Sequence, residues 1–292
     1  MDMRENSFPL KAHSTITGFD HKISKYRFIT GNTLKIIAIS VMLFDHFCKI
    51  VLQWLLNNYW YDLYDVGQIT WEQFSEIDNF VRFDLYAIGT IAFPLFCFLL
   101  SEGFHYTKNR KKYMGLMLVF AIISELPFDL GFFNELSIES GTYPFYWQYQ
   151  NVFFTLFLGL VALDCIDKFS CNPANKINRT KSILLQVVSV AAIAIIAEVI
   201  RCDYGKEGVL FVVAFYICRK NRLYQILLFL MAYMLTTGEQ PTIYTMLSCL
   251  LILLYNGKRG KLKLKYFFYA FYPVHITIFY VVTLLLSTHL GQ

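Results

Sequence analysis

The sequence predicts an all-α polytopic membrane protein, a bundle of about nine (eight to ten) transmembrane helices with its N-terminus in the cytoplasm. Hydrophobic residues make up 56% of the 292 residues and charged residues only 16%, with a mean hydropathy of +0.45. Soluble domains carry about 45–50% apolar and about 25% charged residues. The composition therefore excludes a soluble globular domain, a coiled coil and a disordered chain.

The apolar residues are grouped into nine segments that reach or approach the length of about 20 residues needed to cross a bilayer. The short segments that begin at 204, 223 and 241 are expected to be tilted or partly re-entrant. In chain order, the nine segments are 33–56, 83–104, 113–133, 151–166, 183–200, 204–218, 223–237, 241–255 and 266–286.

Lysine and arginine alternate from loop to loop along this partition. With the N-terminus inside, 21 of the 26 basic residues fall on the cytoplasmic side, in the first 29 residues and in the loops at 105–112, 167–182, 219–222 and 256–265. The loops at 57–82 and 134–149 are expected to face outward. We therefore predict a polar cytoplasmic extension (1–29) followed by a single multi-pass domain (30–292) in the cytoplasmic (inner) membrane.

Ionisable residues inside the first apolar segment need a functional or structural reason, because a charge in hydrocarbon is costly. Asp45 and His46 fall near mid-span, and Lys35 precedes His46 by about 16 Å of helix. A polar pair that only holds helices together is one explanation. Clusters of this kind more often mark proton or substrate chemistry, and Lys49 is the residue that Asp45 would meet one helical turn further on.

Other polar residues recur near the ends or the middle of the apolar segments. The positive charges of Arg110 and Lys112 are equally consistent with a role in setting the topology and with contacts to phosphate. Pro127 lies between Glu125 and Asp129, and these residues are as consistent with a structural kink of the helix as with a functional role. The candidates are Glu102, His105, Arg110, Lys112, Glu125, Asp129, Asn151, Asp203, Tyr204 and His275.

These segments together resemble the TraX family, multi-pass membrane proteins named for the enzyme that N-acetylates conjugative pilin. The spacing of Lys35 and His46 also resembles the [Arg/Lys]-x10-His element of the wider transmembrane acyltransferase group. The stretches that carry the resemblance are TGNTLKIIAISVMLFDHF at 30–47, IAFPLFCFLLSEGFHYTKNRKKY at 91–113, SELPFDL at 124–130, QNVFFTLFLGL at 150–160, DYGKEGVL at 203–210 and FYPVH at 271–275.

The resemblance implies a membrane-embedded acetyltransferase that takes acetyl-CoA from the cytoplasm and transfers its acetyl group to an acceptor at or beyond the other face. His46 is expected to be the acid/base residue, with His275 as its rival. Asp45, Lys35 and Glu102 are expected to support the same cavity. The expected donor contacts are Lys35, Gly103, His105, Arg110, Lys112 and Asn151, and the expected acceptor contacts are Glu125, Asp129, Asp203 and Tyr204.

The residues alone do not identify the acceptor, which is either a peptide (pilin) amine or an envelope glycan hydroxyl. A proton-coupled transporter and a non-catalytic scaffold or immunity-type protein are the alternative functions, since both place polar residues in a bundle. We expect contact with membrane lipid, no nucleic acid and no metal, because no soluble-enzyme or metal-ligand motif is present. The sequence does not decide whether the protein forms homo-oligomers.

Overall fold

A computed structural model describes residues 8–133, 146, 148–171, 177–262 and 265–290. The prediction of an all-α protein is confirmed for these residues, whose only β-bridges are isolated pairs. The helices are α1 (Phe8–Ser24), α2 (Gly31–Asp65), α3 (Trp71–Tyr106), α4 (Arg110–Phe133), α5 (Val152–Lys168), α6 (Arg179–Val199), α7 (Gly205–Ile217), α8 (Arg222–Thr237), α9 (Ile243–Leu253) and α10 (Lys265–Leu290).

Five helices in the described part of the chain are long and apolar enough to cross a membrane: α2, α3, α4, α6 and α10. The other apolar helices, among them α8 and α9, are shorter. These lengths support a membrane protein. The total of about nine spans, the orientation of the chain and its division into an extension and one domain stay predictions.

Most helix starts are fixed by a side chain that caps the first turn. Thr30 accepts a hydrogen bond from the Thr33 amide at the start of α2, and Thr70 and Gln73 form a reciprocal capping box at the start of α3. Asparagine or threonine caps four further starts in the same way, at Asn151, Asn178, Asn221 and Thr242.

Contacts between distant segments define two ends of the bundle. We call one the basic end: it holds the turns at 107–109, 218–221 and 254–262 and the start of α2, where Ile29 pairs with Tyr255. The opposite end holds the turns at 66–70, 200–204 and 238–242, and there Gln150 pairs with Cys202. Parts of the predicted loops at 134–149, 167–182 and 256–265 lie outside the described residues.

The expectation of a long loop at 57–82 is wrong. Helix α2 continues to Asp65, α3 begins at Trp71, and only a short turn separates them. Aromatic rings packed between the two helices support this hairpin: Trp71 and Phe74 lie with their centroids 5.6 Å apart, and both contact Tyr64. The charges that interrupt the apolar run are compatible with helix because they occupy the exposed faces of the hairpin.

Helix α7 lies at the centre of the bundle and packs against α3, α5, α6 and α8. Its Val209, Val212 and Phe215 are fully buried. Helices α2, α4 and α10 pack together beside this core. Among the candidate functional residues, Asp45, His46, Asp203, Tyr204 and His275 lie where these two groups of helices meet.

Candidate active site

Two histidines from helices far apart in sequence form one hydrogen-bonded pair. Nδ1 of His46 on α2 lies 2.7 Å from Nε2 of His275 on α10, and the rings stack with centroids 4.9 Å apart. Nδ1 of His275 also lies 2.6 Å from the Phe271 carbonyl oxygen. The two histidines that the sequence presented as rivals are therefore a single unit.

The direction of the protons follows from this chain of contacts when both rings are neutral. A carbonyl oxygen only accepts, so Nδ1 of His275 carries the proton and its Nε2 accepts. His46 must then donate through its own Nδ1. This arrangement leaves the lone pair on Nε2 of His46, the state that a general base requires.

Aromatic rings hold the His46 imidazole in place. Phe132 on α4 and Tyr272 on α10 contact it edge to face, with centroid distances of 5.2 and 5.6 Å. A π-helical turn, Phe47–Leu52, begins directly after His46. Such turns inside helices frequently occur at functional sites.

Asp45 links the histidine pair to a cation. Its Oδ2 lies 2.9 Å from Lys49 Nζ and 3.9 Å from Nε2 of His46. The expectation that Asp45 meets Lys49 one turn further on is confirmed. A Cβ atom at Gly89 would overlap the Asp45 carboxylate, so the absence of a side chain at Gly89 makes room for this carboxylate.

His46, Asp45 and Lys49 line a cavity of about 260 Å³, which we call the histidine cavity. Half of its lining residues are Phe or Tyr, and its charged groups come from the middle of α2 and from the turn before α7. Its other lining residues are Met42, Gly89, Ala92, Phe93, Phe96, Phe128, Phe132, Phe133, Tyr149, Val152, Asp203, Tyr204 and Tyr272.

Asp203 and Tyr204, both predicted from sequence, reach this cavity from the turn between α6 and α7. Tyr204 adopts a left-handed backbone (φ 62°) and stacks on Phe93 with centroids 3.5 Å apart. Asp203 Oδ1 accepts a hydrogen bond from the Tyr149 hydroxyl at 3.4 Å. Desolvation raises the pKa of Asp203 to about 6, although the nearby Lys49 opposes that shift.

Glu125, Asp129 and Asn151 lie behind the cavity wall, outside its lining. The Asn151 side chain caps α5 and donates to the Ala121 carbonyl at 2.8 Å and to the Glu125 carboxylate. Asp129 accepts from the Tyr146 amide at 2.7 Å. These residues tie the segment before α5 to α4.

The remaining predicted residues lie toward the basic end, separate from the histidine cavity. Glu102 is placed 3.7 Å from the Arg222 guanidinium and does not line that cavity. Lys35 Nζ lies over the Phe268 ring at 5.3 Å. Neither Lys35 nor Glu102 is among the residues that line the histidine cavity, so the structure does not bring them together with His46 there.

Two of the predicted donor contacts lie against protein groups. Arg110 pairs with Asp167 at 2.7 Å, and a Cβ atom at Gly103 would lie 2.9 Å from the Tyr113 hydroxyl, the end of a movable side chain. His105 and Lys112 are exposed, and His105 packs on Tyr106.

The sequence reasoning missed several cavity residues. Gly89, Phe93, Phe132 and Tyr149 were not singled out, because an isolated glycine or aromatic residue in an apolar run gives no functional signal. Tyr272 could have been found from its place inside the FYPVH stretch at 271–275.

A bundle of apolar helices around a histidine-lined cavity is the architecture of an integral membrane protein with a buried polar site. A family model described as TraX protein matches residues 30–283, and the chain belongs to the TraX family. The resemblance stated from the sequence is thus confirmed.

One relative is the probable fimbrial assembly protein FimC, serogroup H1, of Dichelobacter nodosus. It is 32% identical to this chain over 207 residues, covering 65% of this chain and 79% of that protein. No solved structure matches the chain.

Proposed function

We propose that this protein is a membrane-embedded acetyltransferase that moves the acetyl group of cytoplasmic acetyl-CoA to an acceptor through His46. The observation that carries the proposal is the His46–His275 pair, which leaves a basic nitrogen on His46, a residue that lines the histidine cavity. The carboxylate of Asp45, 3.9 Å from that nitrogen, would stabilise the imidazolium that forms.

The reaction needs one base and returns its proton. As the acceptor's lone pair attacks the thioester carbonyl, its N–H or O–H proton moves to Nε2 of His46. The C–S bond then breaks, and the same proton passes to the sulfur of coenzyme A. The products are the acetylated acceptor and free coenzyme A, so atoms and charges balance without a metal or another reactant.

His275 acts as a positioning residue in this scheme. Both of its ring nitrogens are already engaged, one by the Phe271 carbonyl and one by His46. It therefore fixes the tautomer of His46, much as the third member of a catalytic triad orients its histidine.

The donor is proposed to enter from the basic end. Lys35 has no carboxylate within ion-pair distance among the described residues, so its charge is available to a phosphate of coenzyme A. Lys112 and His105 are exposed at the same end. Arg110 is a weaker candidate than the sequence suggested, because Asp167 already pairs with it.

The name of the Dichelobacter nodosus relative favours a fimbrial subunit as the acceptor, and its N-terminal amine is the first choice within it. An envelope glycan hydroxyl is the second. The proposal places the protein in the cytoplasmic membrane with the histidine cavity toward the outer face.

Purified protein in lipid nanodiscs, supplied with radiolabelled acetyl-CoA and candidate acceptors, tests the activity directly. We expect labelled acceptor to form, and mass spectrometry of envelope peptides and glycans to show one added acetyl group only when the protein is present. Consumption of acetyl-CoA separates an enzyme from a transporter, which would move solute without consuming it, and from a scaffold, which would do neither.

A further inference from the structure

A second cavity of about 320 Å³ lies beside the histidine cavity at the opposite end of the bundle; we call it the outer cavity. It contains two charged side chains, Arg201 and Glu207, with no ion-pair partner among the described residues. Its lining includes Tyr149, Glu198, Arg201, Cys202, Tyr204 and Glu207.

The two cavities share the side chains of Tyr149 and Tyr204 as a common wall. Tyr204 is fixed by its stacking on Phe93. Tyr149 is held by a 3.4 Å bond to Asp203 and by ring contacts at centroid distances of 6.0 Å or more. The part of the wall formed by Tyr149 is therefore the one more easily moved.

The chemistry of the outer cavity is polar and carries both signs of charge. Glu198 is engaged at the start of α7, where it accepts from the Lys206 amide at 2.8 Å. Arg201 and Glu207 therefore remain to contact a ligand. A lining of this kind suits a peptide segment, whose amides and side chains donate and accept, and it does not suit an acyl chain.

We propose that the outer cavity binds the residues of a peptide acceptor that follow its reacting amine, with Arg201 and Glu207 as its charged contacts. Tyr149 then marks the boundary that the amine crosses to reach His46. This inference rests on the proposed function, and it assigns the acceptor a binding site separate from the histidine cavity.

Steady-state kinetics with two acceptors tests the assignment. One acceptor is a short synthetic peptide with the N-terminal sequence of the processed fimbrial subunit from the same cells, and the other is glycinamide, which is too small to fill both cavities. The variant is Arg201→Ala/Glu207→Gln. The matched control is Glu72→Gln, an exposed carboxylate on the α2–α3 hairpin that lines neither cavity.

In the variant we expect the KM for the peptide to rise by roughly tenfold, the effect of losing one or two charged contacts. The KM for glycinamide should change by less than about twofold. Binding of fluorescent peptide to His46→Ala protein should weaken by the same factor when Arg201 and Glu207 are replaced, without any turnover. The control should match the wild type in every measurement.

An unchanged peptide KM, or an equal loss for both acceptors, would overturn the outer-cavity assignment while leaving the acetyltransferase intact. Absence of transfer to either amine by the wild-type protein, while a glycan acceptor is acetylated, would overturn this inference alone. Absence of acetyl-CoA consumption with every candidate acceptor would refute the proposed function, and this inference with it.

Discussion

His46 and His275, 229 positions apart in the chain, share a hydrogen bond of 2.7 Å that joins α2 to α10. The Phe271 carbonyl fixes the proton on the far side of His275, at 2.6 Å. Asp45 approaches the free nitrogen of His46 from its own helix. The predictions below follow from this arrangement and from the residues that hold it.

Gly89→Ala should disturb the site through Asp45. The added methyl group would overlap the Asp45 carboxylate, which is buried against that backbone. We expect at least a tenfold loss of acetyl transfer, because a shift of this carboxylate removes an interaction worth about 1.4 kcal/mol or more.

Gly115→Ala in α4 is the matched control for Gly89→Ala, since nothing lies within 4 Å of its added Cβ. Alanine is a better helix former than glycine, so this variant should keep its activity and melt slightly higher. Equal activity of the two variants, measured by labelled transfer at matched protein levels, would show that Gly89 does not position Asp45.

Asn151→Ala should destabilise the fold rather than weaken donor binding. The change removes the cap of α5 and the side-chain donor to the partly buried Glu125 carboxylate, which keeps only the 3.3 Å bond from the Asn151 backbone amide. We expect a loss of about 2–4 kcal/mol in the free energy of unfolding.

The exposed cap of α6, Asn178, provides the comparison, because among the described residues its side chain bonds only the Lys181 amide. Asn178→Ala should cost about 1 kcal/mol. Thermal melting in detergent checks both values. A smaller drop in Tm for Asn151→Ala than for Asn178→Ala, together with weaker coenzyme A binding, would restore the interpretation of Asn151 as a donor contact.

The ionisation of Asp203 should appear in the pH profile. Its pKa of about 6 means that the carboxylate is neutral below that pH and charged above it. Lys49, Asp45 and Tyr149 are the charged or titratable groups that act on it. A charged carboxylate in the cavity should attract an acceptor amine, so kcat/KM for the peptide should gain from this ionisation as pH rises through about 6.

Asp203→Asn removes only the gain in kcat/KM that comes from ionisation of the Asp203 carboxylate. The acceptor amine ionises near pH 8 with both proteins, so the ratio of wild-type to variant kcat/KM isolates Asp203. The ratio should be close to one at pH 5 and should rise to a plateau above pH 6. A ratio that stays constant from pH 5 to 8 would mean that Asp203 does not act through its charge.

Local features of the sequence predicted most of the bundle. The apolar runs predicted where helices lie, and Asn151, at the start of the fourth run, caps α5. The caps at Asn178, Asn221 and Thr242 were not singled out from the sequence. The helical hairpin at 57–82 was missed because hydropathy reports burial in a membrane and says little about helix formation in polar surroundings. Its aromatic contacts, such as Tyr64 with Trp71, depend on tertiary packing.

The candidate site was predicted only as far as local spacing allows. The pairing of Asp45 with Lys49 follows from one helical turn. Nothing local indicates that His46 faces His275, or that Glu102 and Arg110 lie near Arg222 and Asp167 on distant helices. Glu102 and Arg110 do not line the histidine cavity, and only the three-dimensional arrangement reveals their distant partners.

The measurement that tests the central claim most directly is labelled acetyl transfer by His46→Ala, His275→Ala and the double variant, each shown to be folded. Loss of a general base costs about 10²–10⁴-fold in rate, which we expect for His46→Ala. His275→Ala should lose less, because the base remains but its tautomer is no longer fixed. The double variant should be no worse than His46→Ala alone, since the two residues act as one unit. Near-normal turnover by His46→Ala alongside an inactive His275→Ala would contradict this account and assign the base to α10.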